Sequence, residues 1–170
     1  FRGPRFGVRG LRERLHAPTR PLLATALKPM GLPAATLADI AYRFALGGMD
    51  LIKDDHGLAN QSFTPFRERV ERCAAAVARA NRETGGHCLY LPNITGPFEA
   101  IMENALFAKQ AGAGGFLVSP GLGGLDPLRR LADDDGLALP IMSHPALQGS
   151  FVTSDDSGMA HEVIFGQVIP

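Results

Sequence analysis

The sequence predicts an α/β fold, a (β/α)₈ barrel represented by about five β/α units. Three observations carry this expectation. Short apolar runs alternate with longer amphipathic stretches along most of the 170 residues. The short runs are apolar on both faces, as parallel strands covered on both sides must be. Polar residues then follow the runs: Lys28, Lys53 to His56, Asn93 and His144. A doubly wound sheet gathers its ligands at one switch point, whereas a barrel brings every strand end to one mouth.

The first strand is read in Leu22 to Leu27, ending at Lys28-Pro29. Pro33 stands at a helix start, where its missing N–H costs little, and Leu37, Ile40, Ala41 and Phe44 follow at helical spacing. Gly47-Gly48 closes that helix. Met49 to Ile52 forms the second strand. A helix from about Thr64 to Glu83 buries Phe66, Val70, Cys73, Ala74 and Val77, with Arg67, Arg69, Glu71, Arg72 and Arg79 on its wet face. Gly85-Gly86 stops it. The third strand is His87 to Leu91, and Thr95 is placed to cap the next helix, which buries Phe98, Ile101, Ala105 and Ala108. Gly115 to Ser119 and Leu137 to Met142 are the fourth and fifth strands. Helices are expected over Pro127 to Ala132 and Met159 to Gln167.

Seventeen basic and seventeen acidic residues give a net charge of zero. That excludes the basic face a nucleic-acid binder needs and the polybasic patch that holds a protein on an anionic membrane. No apolar run reaches the roughly 20 residues that span a bilayer, and no signal segment opens the chain. These features predict a soluble cytoplasmic protein. Cys73 and Cys88 lack metal or CxxC spacing and are expected as free thiols. The chain opens on Phe1 and closes on Gln167-Val168-Ile169-Pro170, so a piece of a longer protein is expected.

Lys53-Asp54-Asp55-His56 is the sharpest chemical signal. Side chains alternate along a strand, so Lys53 and Asp55 share one direction and Asp54 takes the other. Two readings of the run stand at this point. One is an ion pair at a strand end beside a helix start. The other is a divalent-metal site, since Mg²⁺ takes hard oxygen ligands and keeps positions open for water or substrate. An ammonium cannot ligate, but a lysine that has added CO₂ is a carbamate with an anionic oxygen. His56 fits a ligand, an acid/base or a substrate hydrogen bond, and as a ligand it shifts preference from Mg²⁺ toward Mn²⁺, Fe²⁺ or Zn²⁺. Gly121-Leu122-Gly123-Gly124 is read as a mobile loop or a phosphate cradle. Asp133-Asp134-Asp135 reads as a helix end, and Asp155-Asp156 as loop near the mouth. His16 is expected exposed, His87 structural, and His161 on a helix face.

Gly47-Gly48-Met49-Asp50-Leu51-Ile52-Lys53-Asp54-Asp55 resembles the G-G-x-D-x-x-K-D-D-E signature around the carbamylated lysine of the RuBisCO large-subunit superfamily. Further resemblance lies in Asn60 to Phe63 with Arg67 and Arg69, in Lys28-Pro29 with Gly31-Leu32, in Tyr90-Leu91, Thr95-Gly96, Glu99 and Met102, and in Phe1, Gly3-Pro4 and Gly7. It covers essentially the whole chain, with less clarity after residue 115. The resemblance implies that residues 1–170 are part of the carboxy-terminal (β/α)₈ barrel domain. The amino-terminal domain and the last barrel strands would lie outside this span, and the isolated span would be inactive. It implies a homodimer in the full-length protein, a phosphorylated sugar substrate, and Mg²⁺ (or Mn²⁺) with CO₂ bound as a lysine carbamate. Lys53, Asp55 and His56 would hold the metal, and Lys28, Lys53 and His144 would carry the proton transfers.

Departures from the carboxylase pattern point away from carboxylation. His56 stands where carboxylases have Glu. Lys28-Pro29-Met30-Gly31-Leu32 replaces K-P-K-x-G-L and lacks the second lysine. His144-Pro145 replaces a His-Arg pair, and Ser119-Pro120-Gly121 replaces a polar fourth-strand end. The expectation is a RuBisCO-like isomerase, enolase or decarboxylase, with a divergent carboxylase or a non-catalytic relative as alternatives.

Overall fold

The computed structural model describes residues 3–154 and 156–170. Phe1 and Asp155, used above, lie outside the described residues. The order is α1 (Gly7–Arg14), β1 (Ala24–Leu27), α2 (Ala34–Leu46), β2 (Leu51–Asp54), α3 (Phe66–Thr84), β3 (Leu89–Leu91), α4 (Phe98–Gln110), β4 (Phe116–Val118), α5 (Pro120–Gly123), α6 (Leu125–Asp133) and β5 (Ile141–Ser143). A 3₁₀ turn (Gln148–Phe151), a hairpin of β6 (Val152–Ser154) and β7 (Ser157–Gly158), α7 (His161–Val163) and a π turn (Ile164–Val168) follow.

Strands β1, β2 and β3 are parallel and neighbours in that order, with Ala26 opposite Lys53 and Lys53 opposite Leu91. Strands β4 and β5 form a second parallel pair. Pro92 has no N–H to donate, which interrupts the ladder between β3 and β4. A parallel bridge from Asn93 to Leu117 spans the interruption: Leu117 N–H donates to Pro92 O, and Ile94 N–H to Leu117 O, both at 2.9 Å. Five parallel strands therefore succeed one another in chain order, joined through helices.

Strands β2, β3 and β4 bury residues on both faces, as their apolar runs predict, whereas β1 and β5 are mostly half-buried. One face, with Leu27, Ile52, Tyr90, Phe116 and Val118, packs on Leu37, Val70, Cys73, Ile101, Ala105 and Leu131 of the helices. The other face carries Leu51 and Leu91 against Leu15 and Ala17, which follow α1. Each fully buried Leu, Ile or Phe contributes about 1.5–3 kcal/mol. Helix α3 stops at Gly85, whose φ of 68° is left-handed and whose N–H caps Asn81 O. Both cysteines are buried free thiols. Among the described residues no helix is long and apolar enough to cross a membrane.

Five expectations about the elements need correction. Phe98, expected on the buried face of its helix, is 47% exposed, because it is the first residue of α4 and projects from the helix end beyond the core. Strand β5 starts at Ile141, not Leu137, because Ala138 turns left-handed (φ 44°) and Pro140, though its carbonyl accepts the Phe116 N–H, has no N–H to donate to a ladder. The expected last helix breaks into α7 and a π turn. Helix α4 is entered through Pro97 with no side-chain cap, and Thr95 Oγ1 instead accepts the Ser119 N–H at 2.9 Å, tying the ends of β3 and β4. The glycine-rich segment after β4 is the one-turn helix α5, not an open loop. A Cβ on Gly121 would lie 2.2 Å from Ala146 O, so this glycine permits close packing of two backbones.

Candidate active site at the strand ends

The alternation along β2 is the origin of the site. Asp54 turns toward the helices and is fully buried. Its Oδ2 accepts from Arg69 Nε and Asn93 N–H, both at 2.9 Å, and its Oδ1 accepts from Tyr90 Oη at 2.7 Å. Arg69 is 0 % exposed. Its remaining nitrogens donate to Thr64 O (3.0 Å), Leu58 O (3.2 Å) and Ala59 O (2.8 Å). The guanidinium therefore anchors the loop that leaves β2. This corrects the reading of Arg69 as part of the wet face of α3. The missed signal was its phase: Arg69 lies three residues after Phe66 and four before Cys73, on the apolar stripe. Asp50 performs a similar task at the other end of β2, taking Arg20 bidentately (2.7 and 2.5 Å) and the Leu23 N–H (2.8 Å).

Lys53 and Asp55 point the other way. Lys53 is half-buried on the face of Leu51 and Leu91, with Nζ donating to Asp54 O at 3.2 Å. Burial pushes its ammonium below the ordinary lysine range. Asp55 pulls it back up, Lys28 pushes it down again, and the net direction is down. Asp55 is buried and collects three partners. Oδ2 meets Lys28 Nζ at 3.2 Å, Oδ1 accepts the Gly57 N–H at 2.9 Å, and Oδ1 lies 3.4 Å from His56 Nδ1. Burial pushes the Asp55 carboxyl up, but Gly57, Lys28 and His56 together outweigh it, so it stays below the ordinary carboxylate range.

The His56 ring stacks on His144, centroids 4.5 Å apart and planes 26° apart. His144 follows β5, and its Nδ1 accepts the Ala146 N–H at 3.1 Å. That bond places the ring proton on Nε2. Burial is the main cause that lowers the His144 pKa, aided by His56 and Lys53 and opposed by Asp55, so the ring is neutral at neutral pH. The fold thus gathers Lys28, Lys53, Asp55, His56 and His144 from the ends of β1, β2 and β5. The other histidines lie elsewhere. His16 and His87 stack on each other at 3.6 Å, both exposed, and His161 lies over Phe165.

Among the described residues no three His, Cys, Asp or Glu side chains form a ready-made metal cage. Asp55 and His56 supply two donors to one point. A third arises at Lys53 only if its amine carries CO₂, and the depressed ammonium pKa favours the free amine that reaction requires. The residues fit a divalent ion in that form.

Residues 7–168 match the family described as ribulose bisphosphate carboxylase large chain, catalytic domain. The chain belongs to this family. Within the RuBisCO family it is similar to the 5-methylthioribulose-1-phosphate isomerase of Rhodospirillum rubrum, 42% identical over 88% of this chain and 40% of that protein. It is also similar to the 2,3-diketo-5-methylthiopentyl-1-phosphate enolase of Geobacillus kaustophilus, 38% identical over 99% of this chain and 41% of that protein. A solved RuBisCO-like protein from Alicyclobacillus acidocaldarius superposes with a TM-score of 0.90 at 35% identity, over 99% of this chain and 43% of the other. The chain spans about two fifths of the length of the curated relatives it matches.

Proposed function

We propose that the full-length protein is a RuBisCO-like enzyme that enolises a phosphorylated keto-sugar or sugar-acid derivative, as an isomerase, enolase or decarboxylase. The observation that carries this reading is the contiguous array at the strand ends: Lys28 on Asp55, Asp55 beside His56, and His56 on His144, with Lys53 on the same face. The names of the relatives, an isomerase and an enolase of phosphorylated methylthio-sugars, point to the same chemistry. Five successive parallel strands are read as five of the eight strands of a (β/α)₈ barrel domain. The amino-terminal domain and remaining strands lie outside 1–170 in this reading, and the full-length protein is a cytoplasmic homodimer.

In this proposal Lys53 as a carbamate, Asp55 and His56 would hold Mg²⁺ or Mn²⁺, which when bound would supply positive charge beside the substrate carbonyl. The Lys53 carbamate is the candidate base for the proton beside the carbonyl. Lys28, fixed by Asp55 at the rim, presents an ammonium to the substrate oxygens. His144, with Nδ1 engaged by Ala146, offers its Nε2–H as a hydrogen-bond donor to a substrate oxygen. Pro145 and Met30 stand where carboxylases carry cationic phosphate contacts, which disfavours a bisphosphate substrate.

The test uses the full-length protein with 5-methylthioribulose 1-phosphate and with 2,3-diketo-5-methylthiopentyl 1-phosphate in D₂O. NMR should record exchange or loss of the proton beside the carbonyl, requiring a divalent ion. Absence of exchange in both substrates, together with incorporation of labelled CO₂ into ribulose bisphosphate, would replace this reading with a carboxylase.

A further inference from the structure

We propose that Asn93 is a positioning residue of the site: it fixes the His56 carbonyl and so holds the imidazole between Asp55 and His144. Asn93 is 1% exposed at the end of β3, and its backbone N–H and both polar side-chain atoms are bonded. Its N–H donates to Asp54 Oδ2 at 2.9 Å, Nδ2 donates to His56 O at 2.8 Å, and Oδ1 accepts the Thr95 N–H at 3.1 Å. The amide orientation is determined by these partners. Turned over, it would set Oδ1 against a carbonyl and Nδ2 against an N–H, losing both bonds.

His56 needs such a support because its side chain is 53% exposed and gains little from packing. Its ring is held by Asp55 on one side and the face of His144 on the other. Both contacts depend on where the backbone leaves β2. Four side chains pin that turn: Asp55 through the Gly57 N–H, Arg69 through Leu58 O and Ala59 O, Gln61 through Gly57 O at 2.7 Å, and Asn93 through His56 O. Among these, Asn93 alone bonds the backbone of the residue whose ring enters the array. Asn93 also joins β2 to β3 and, through its bridge to Leu117, to β4. It therefore refers the His56 position to three strands at once. The role in turnover rests on the function proposed above; the geometric role does not.

Asn93→Ser tests both. Serine is too short to reach the His56 carbonyl. A crystal structure of the full-length variant should show the His56 ring displaced from His144; an unchanged stack would overturn the proposal. In turnover, loss of a group that orients a ligand costs about 10- to 100-fold. Asn93→Ser should lower kcat by about this factor with KM changed less than about threefold. In a His56→Ala background the same substitution should change kcat less than about threefold, because the side chain it orients is gone. Equal fold-losses in both backgrounds would assign Asn93 a merely structural role and overturn the proposal. If the serine variant does not fold, the isosteric Asn93→Asp replaces the donor with an acceptor facing the carbonyl and serves in both measurements. A parent protein inactive on every phosphorylated ketose tested would overturn the functional reading, and the position of the His56 ring would still decide the role of Asn93.

Discussion

Arg69→Met should be among the most destabilising single substitutions in this region. Methionine fills much of the guanidinium stem's volume but donates nothing. Asp54 would keep Tyr90 and the Asn93 N–H yet lose its only buried counter-charge among the described residues. Removing one partner of a buried pair costs about 3–5 kcal/mol. The carbonyls of Leu58, Ala59 and Thr64 also lose a donor. Each would cost about 1–3 kcal/mol if left buried and unpaired. The loop can open to water at Ala59, so about 4–6 kcal/mol in total is expected, a large share of the roughly 5–15 kcal/mol that holds a domain together. Arg69→Lys keeps the charge but not the fork, and should cost about half as much. Urea unfolding of the full-length protein by far-UV circular dichroism measures the loss. Hydrogen exchange over residues 57–65 tells whether the loop opens first. A shift of less than about 1 kcal/mol for Arg69→Met would refute the argument, since it would mean that a buried carboxylate needs no counter-charge here.

Other expectations follow from the same geometry. Activity of the full-length protein should rise on preincubation with bicarbonate and Mg²⁺ or Mn²⁺, and Lys53→Met should abolish both activity and this response; activity indifferent to chelator and CO₂ removal would dismiss the carbamate. Arg20 hydrogen bonds, aided by the Leu23 N–H and opposed by burial, hold the Asp50 pKa below its ordinary value. Its contribution to stability is thus present above the unfolded carboxylate pKa of about 3.9 and is lost as pH falls through the lower folded value. The acid limb of the stability curve should be shallower in Asp50→Asn. Burial pushes both Cys73 and Cys88 up to about 12, so at pH 8 iodoacetamide should label neither in the native protein and both in urea, as read by peptide mapping. Gly121→Ala places a methyl against Ala146 O and should lower both thermal stability and kcat, because Ala146 N–H orients His144.

The order of strands and helices was legible because a period of two and a period of 3.6 are written directly in apolar positions. The opposed directions of Lys53 and Asp54 were legible for the same reason. What lies between elements was less so. At Arg69 charge and periodicity conflict: an arginine reads as solvent-facing, while its phase on α3 puts it inside. The start of β5 is hidden because Leu137 is apolar and buried, yet burial there comes from packing on the helices, not from a ladder. The hairpin β6–β7 has two-residue and three-residue strands with no alternation to detect. Contacts such as Thr95 with Ser119, or Asn93 with His56, depend on which strands become neighbours, and local pattern holds no record of that.

The strand β2 places two kinds of constraint on one short segment. Asp54 and the residues it holds are sealed beneath the helices, where almost any replacement disturbs the frame. Lys28 and His56, which meet Asp55 at the rim, are 63% and 53% exposed and bear little of the packing. Lineages descending from such a frame can therefore exchange rim residues at small cost in folding while the sealed face stays as it is. New substrates would be acquired at the exposed rim, and inheritance of the fold would be kept along the sealed face of β2.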